Sequence, residues 1–74
     1  MVCTVKLIWD NETCLWSTEA DDVLRLVLES NSFDKLVERV RLAAPEMLEL
    51  NQGYKGPVKL RFEVERVDYL EMVS

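Results

Sequence analysis

The sequence predicts an α+β fold of order β-β-β-α-β, an antiparallel sheet covered on one face by one helix. Three observations carry this. Apolar residues alternate at Cys3, Val5, Leu7 and Trp9; Phe33, Leu36, Val37, Val40, Ala44, Met47 and Leu48 recur at helical spacing; and Val58 to Val64 alternate strictly with charged residues.

The first segment, Met1 to Trp9, has Thr4 and Lys6 between its apolar positions, the period of a half-buried strand. The second, Thr13 to Thr18, offers Cys14 and Trp16 to one face. A two-residue turn at Asn11 and Glu12 would pair Trp9 with Cys14, Leu7 with Trp16 and Val5 with Thr18, so both apolar sets lie on one side. That register sends Val2, Ile8 and Leu15 to the opposite face, either as scattered surface residues or as a homodimer contact. It also separates Cys3 from Cys14 by more than about 15 Å, beyond disulfide reach. Both cysteines are expected reduced and buried.

Glu19 to Asp22 read as a loop and Val23 to Glu29 as a third strand. Ser32 then suits a helix N-cap, with Asp34 in the first turn and Lys35 where a capping-box glutamate would stand. The helix that follows carries Asp34, Lys35, Glu38, Arg39 and Arg41 away from its apolar stripe. Pro45 lacks a backbone donor, which predicts an end, kink or restart at Ala44 to Glu46. Asn51, Gln52 and Gly53 close the helical stretch, and Gly56-Pro57 opens the last strand. After Arg66 the alternation loses its phase, with Val67 and Tyr69 competing against Leu70 and Met72, so the tail is a bulged continuation or a terminal extension.

At 74 residues, 1–74 is expected to be a single domain. A chain of this size buries only about 60% of its unfolded surface, so self-association is a natural route to stability. Hydrophobic residues make up 49% and charged residues 31%, the balance of a globular chain. No apolar run is long enough to span a membrane, and Met1 to Trp9 lack the basic start of a signal peptide, which gives a cytoplasmic expectation. The net charge of −5 is uneven, −4 over residues 1–37 and −1 over 38–74. Asp10, Glu12, Glu19, Asp21 and Asp22 occupy a stretch free of Lys and Arg. These acids either engage a basic partner or keep two loops solvated. Such a field repels phosphate, so no direct nucleic-acid partner is expected.

The chain contains no histidine, which removes Ser-His and Cys-His catalysis and histidine-containing metal sites. Its two cysteines form no zinc cluster and its two glycines no phosphate-binding loop. Asp10 would have to meet Asp21 or Asp22 at one sheet edge to make a metal-dependent nuclease, the least favoured reading. No enzyme, metal or cofactor is therefore expected. Trp9 and Trp16 can be read as a base-stacking platform or as packing residues, and their acidic neighbours favour packing. Arg39, Arg41, Lys59, Arg61 and Arg66 mix with Glu38, Glu63 and Glu65, which is no phosphate track.

Several stretches together resemble the HicB-like antitoxin domain. They are Val5-Lys6-Leu7-Ile8-Trp9-Asp10, Trp16-Ser17-Thr18 running into Asp21-Asp22-Val23, Leu26-Val27-Leu28-Glu29, Ser32-Phe33-Asp34-Lys35-Leu36 and Leu60-Arg61-Phe62-Glu63. The resemblance covers most of residues 4 to 66, is closest to a branch of small stand-alone prokaryotic proteins, and has no catalytic signature. It implies a reduced ribonuclease-H-like unit, and a non-enzymatic domain that docks on a small basic toxin of the double-stranded-RNA-binding type and blocks its RNA-cleaving site. The chain departs from the pattern at Asp22-Val23-Leu24-Arg25-Leu26, where related sequences carry a Pro-Gly turn. No DNA-binding segment is expected before Ser74, so operon autorepression does not carry over. The alternative is a stand-alone homo-oligomer without a toxin partner.

Overall fold

The computed structural model describes residues 1–71. Its elements follow the chain as β1 (Val2–Asp10), β2 (Leu15–Ala20), β3 (Glu29–Ser30), α1 (Phe33–Gln52) and β4 (Lys59–Glu65). They build a four-stranded sheet of order β3-β2-β1-β4. The sheet is mixed: β1 and β2 pair antiparallel, as do β2 and β3, while β4 runs parallel to β1. The expected all-antiparallel sheet is thus corrected. Helix α1 supplies the reason, since its 20 residues, at a rise of about 1.5 Å each, carry the chain back along the sheet before β4 begins. A strand entered that way runs in the direction of the one before the helix.

The β1–β2 hairpin is longer than a two-residue turn. Residues 11–14 form the loop, and Trp9 faces Trp16, Leu7 faces Thr18 and Val5 faces Ala20. The expected pairing is therefore off by two residues, a slip that leaves the side chains of the paired residues on their expected faces and puts Cys14 in the loop. Local bonds close the loop: the Asp10 carboxylate accepts from Glu12 N at 2.9 Å, the Asp10 carbonyl accepts from Cys14 N at 2.9 Å, and Cys14 takes a left-handed φ of 56°. Cys14 is consequently exposed instead of buried, whereas Cys3 is buried; both are free thiols.

The third strand is far shorter than Val23 to Glu29. Residues 21–28 are irregular, although Leu24 and Leu26 are core residues at 0% and 5% exposure. Side chains hold this segment alongside a few backbone bonds, among them Thr18 N to the Leu28 carbonyl at 3.0 Å. The Thr18 hydroxyl accepts from Leu28 N at 2.8 Å and donates to the Leu26 carbonyl at 3.2 Å; Asp21 accepts from Leu24 N at 3.2 Å; Asn51 donates to the Leu24 carbonyl at 3.2 Å. Arg25 has a left-handed φ of 49°. Alternating apolar residues mark what is buried here, but the local Asp21 bond and the longer-range bonds from Thr18 and Asn51 hold the backbone out of a strand.

Ser32 caps α1 and accepts from Lys35 N, and Gly53 ends the helix with a φ of 62°, a conformation glycine adopts without steric cost. The helix passes through Pro45 without ending. Pro45 is exposed, and the buried stripe Leu36, Val40, Ala44 and Leu48 continues on both sides of it. Packing of that stripe over Cys3, Val5, Leu7, Trp16, Leu24 and Leu26 outweighs one lost helical bond. Residues 66–71 are irregular and reach the hairpin loop, where Asn11 donates to the Val67 carbonyl at 2.7 Å. Met72, the last residue of the two competing tail patterns, lies outside the described residues. No helix among the described residues is long and apolar enough to cross a membrane.

Candidate functional site

Because α1 covers one face of the sheet, the other face is open. The strand registers assign its occupants. One row across the sheet reads Glu29, Ser17, Ile8, Glu65; the next towards the hairpin pairs Leu15 with Asp10; the next away from it reads Glu19, Lys6, Glu63. Ile8 and Leu15 are diagonal neighbours on this face, both half-buried, with exposed Asp10, Glu29, Glu65 and Glu19 around them. Further along β1 the charge changes sign, with Lys59 and Arg61 beside Val2 and Thr4. The open face is therefore dipolar, acidic around a small apolar centre at the hairpin end and basic at the other.

The expected acidic site is divided by this arrangement. Asp10 and Glu12 lie at the hairpin loop, while Asp21 and Asp22 lie at the far end of β2. With Asp10 opposite Leu15 and Val5 opposite Ala20, five residues of strand, about 16 Å, separate the two groups. Asp10 consequently does not meet Asp21 or Asp22. Asp21 is half-buried and its carboxylate accepts from Thr4 N at 3.3 Å and Leu24 N at 3.2 Å, so it shapes the loop. Asp22 and Glu12 are exposed, whereas Glu19 faces Lys6 across the β1–β2 pair. Of the expected contact residues, Ile8 and Leu15 adjoin; Val2 is six residues along β1 from Ile8, about 20 Å away.

Glu29 and Glu65 join the acidic rim without having been legible as site residues. The alternation of Lys59, Arg61, Glu63 and Glu65 marked one face of β4, but only the β1–β4 register places Glu65 beside Ile8. On the covered face, the tryptophans pack as expected. Trp16 is 7% exposed, meets Trp9 at 5.3 Å between ring centroids and meets Phe33 edge-on at 5.0 Å. The Arg66 guanidinium lies 4.6 Å from the Trp9 ring centroid and pairs with Asp68 at 3.1 Å. Trp9 is thus covered by the tail in addition to packing on Trp16.

Among the described residues no group of three or more potential ligands is placed to hold a metal ion, and no cavity opens. Burial pushes the Cys3 thiol up, the nearby Asp21 charge adds to this, and the chain's amino terminus opposes it.

A family model for a domain of unknown function, DUF1902, matches residues 2–73. The crystal structure of a hypothetical protein from the extremely thermophilic bacterium Thermus thermophilus superposes with a TM-score of 0.76 at 32% identity, over 95% of this chain and 100% of that one. No curated protein matches.

Proposed function

The chain belongs to the DUF1902 family, and from that premise we propose a non-enzymatic protein-interaction domain that docks a small basic partner on the open face of its sheet. The observation that carries this reading is the Ile8–Leu15 pair ringed by Asp10, Glu19, Glu29 and Glu65. An apolar centre inside a charged rim is the usual anatomy of a protein-binding patch. Acidic rim groups speed encounter with a basic partner and reject phosphate.

The resemblance to the HicB-like domain supports an antitoxin-like role within this reading. The partner is then a small basic toxin-like protein, held in a prokaryotic cytoplasm by a homodimer of reduced ribonuclease-H-like units. Relative to the acid set expected from sequence, the surface shifts away from Glu12, Asp21 and Asp22 and towards Glu29 and Glu65.

The test is to co-express the chain with a short basic protein encoded beside its gene and to measure their affinity at low and high salt. Binding is expected to weaken as salt rises. The double reversal Glu19→Lys with Glu29→Lys is expected to weaken it more than about tenfold, with the melting temperature nearly unchanged. Lack of such a neighbour, lack of binding, or an affinity indifferent to both reversals would overturn the reading.

A further inference from the structure

Strand β4 is an edge strand: it pairs with β1 on one side, and among the described residues nothing covers the other. It is also long for an exposed edge, at 7 residues, and neither proline nor a bulge interrupts it. The direction of its backbone groups follows from its pairing. Lys59 N donates to the Met1 carbonyl at 2.9 Å, so Lys59, Arg61, Glu63 and Glu65 turn their N–H and C=O groups towards β1. Those of the alternate residues Leu60, Phe62 and Val64 face the free edge.

The sequence of this strand, Lys-Leu-Arg-Phe-Glu-Val-Glu, is complementary to itself when reversed. In an antiparallel pairing of two copies about a twofold axis at Phe62, Lys59 opposes Glu65 of the second copy and Arg61 opposes its Glu63. Leu60 opposes Val64, and Phe62 opposes itself. In the same register Leu60, Phe62 and Val64, whose hydrogen-bonding groups face the free edge, fall on the hydrogen-bonded positions of the new ladder. An axis at Arg61 or at Glu63 would instead set that residue against its own like charge. We infer that the edge of β4 is a homodimerisation surface, on which two copies join antiparallel about Phe62 into one continuous sheet.

This pairing also accounts for Val64, which is 56% exposed in the single chain and would lie against Leu60 of the second copy. Beyond β4 the chain stays beside β1 and the hairpin, where Asn11 donates to the Val67 carbonyl and Arg66 lies over Trp9. A twofold axis normal to the sheet keeps both open faces on the same side, so each Ile8–Leu15 patch stays accessible. The inference names the surface of the homodimer proposed above and shares Glu65 with the partner patch, whose Ile8, Leu15, Glu19 and Glu29 lie on β1, β2 and β3, away from the edge.

Sedimentation equilibrium of the full chain tests it, and a dimer is expected. Arg61→Glu turns both symmetry-related Arg61–Glu63 pairs into like charges and is expected to raise the dissociation constant by roughly tenfold or more. Adding Glu63→Arg restores opposite charges across the axis and is expected to restore the dimer. Val64→Pro removes a donor at the free edge but none from the β1 ladder, and is expected to give a monomer with an unchanged circular dichroism spectrum. Should Val64→Pro fail to fold, the Arg61→Glu and Arg61→Glu/Glu63→Arg pair decides alone. A monomer at every concentration, a dimer indifferent to Arg61→Glu, or a dimer dissociated only by Ile8→Asp would overturn the inference.

Discussion

Thr18 shows how one side chain decides a backbone. It is 8% exposed, and its hydroxyl bridges Leu28 N and the Leu26 carbonyl, groups that a regular strand would have satisfied by its own ladder. Thr18→Val keeps the shape and strands the Leu28 N–H. A loss of about 1–3 kcal/mol is expected in urea denaturation, with Thr18→Ser losing less. Stability equal to the parent in Thr18→Val would show that the loop does not depend on this bridge. The cysteines supply a second residue-scale prediction. Cys14 is exposed and Cys3 buried, so iodoacetamide is expected to label Cys14 in the native protein and Cys3 only after unfolding. Because burial and Asp21 raise the Cys3 thiol in the folded state, the unfolded chain releases that proton first as pH rises. Cys3 therefore contributes full stability below the ordinary thiol range, roughly pH 8 to 9, and loses it progressively above. Melting of Cys3→Ala, compared with the parent across alkaline pH, is expected to show the smaller decline.

At the scale of elements, helix α1 sets local propensity against tertiary packing. Pro45 lies inside the helix, yet Leu36, Val40, Ala44 and Leu48 are all 0% exposed and bury both halves in the same core. Since Pro45 is exposed, Pro45→Ala adds a backbone donor without disturbing the core. A stabilisation of roughly 1–3 kcal/mol is expected from the helix term, reduced by the greater freedom of the unfolded chain. Thermal denaturation measures it, and a destabilised variant would mean that proline has a packing role the helix needs. The hairpin shows the reverse balance: local bonds from Asp10 lengthen the loop, and the register moves by two residues while both apolar faces are kept.

For the whole molecule, the two proposed surfaces share Glu65 but make separable predictions through residues that belong to only one of them. Glu19 and Glu29 stand on β2 and β3, away from the β4 edge, while Arg61 lies at the end of β1 remote from Ile8. Reversing the two glutamates is expected to impair partner binding and leave the sedimented mass unchanged. Arg61→Glu is expected to change the mass and leave the intrinsic affinity of each open face within about threefold, a small difference in free energy. Coupled loss of both properties in either variant would show that face and edge form one surface.

The sequence by itself determined most of the buried stripe and the class of β1, β2, α1 and β4, because periods of two and of about 3.6 report solvent on one side of a strand or helix. Cys3, Val5, Leu7 and Trp16, the stripe of α1 and its Ser32 cap were legible in this way. It could not determine which strands adjoin or in what direction, since alternation is the same in parallel and antiparallel pairs. Tertiary structure decided the parallel β1–β4 pair, the shortening of β3 by Thr18 and Asp21, and the separation of Asp10 from Asp21 and Asp22. The open face and its acidic rim exist only through those decisions, because Glu29, Ile8 and Glu65 come from distant parts of the chain and meet through the ladders that join β3, β2, β1 and β4.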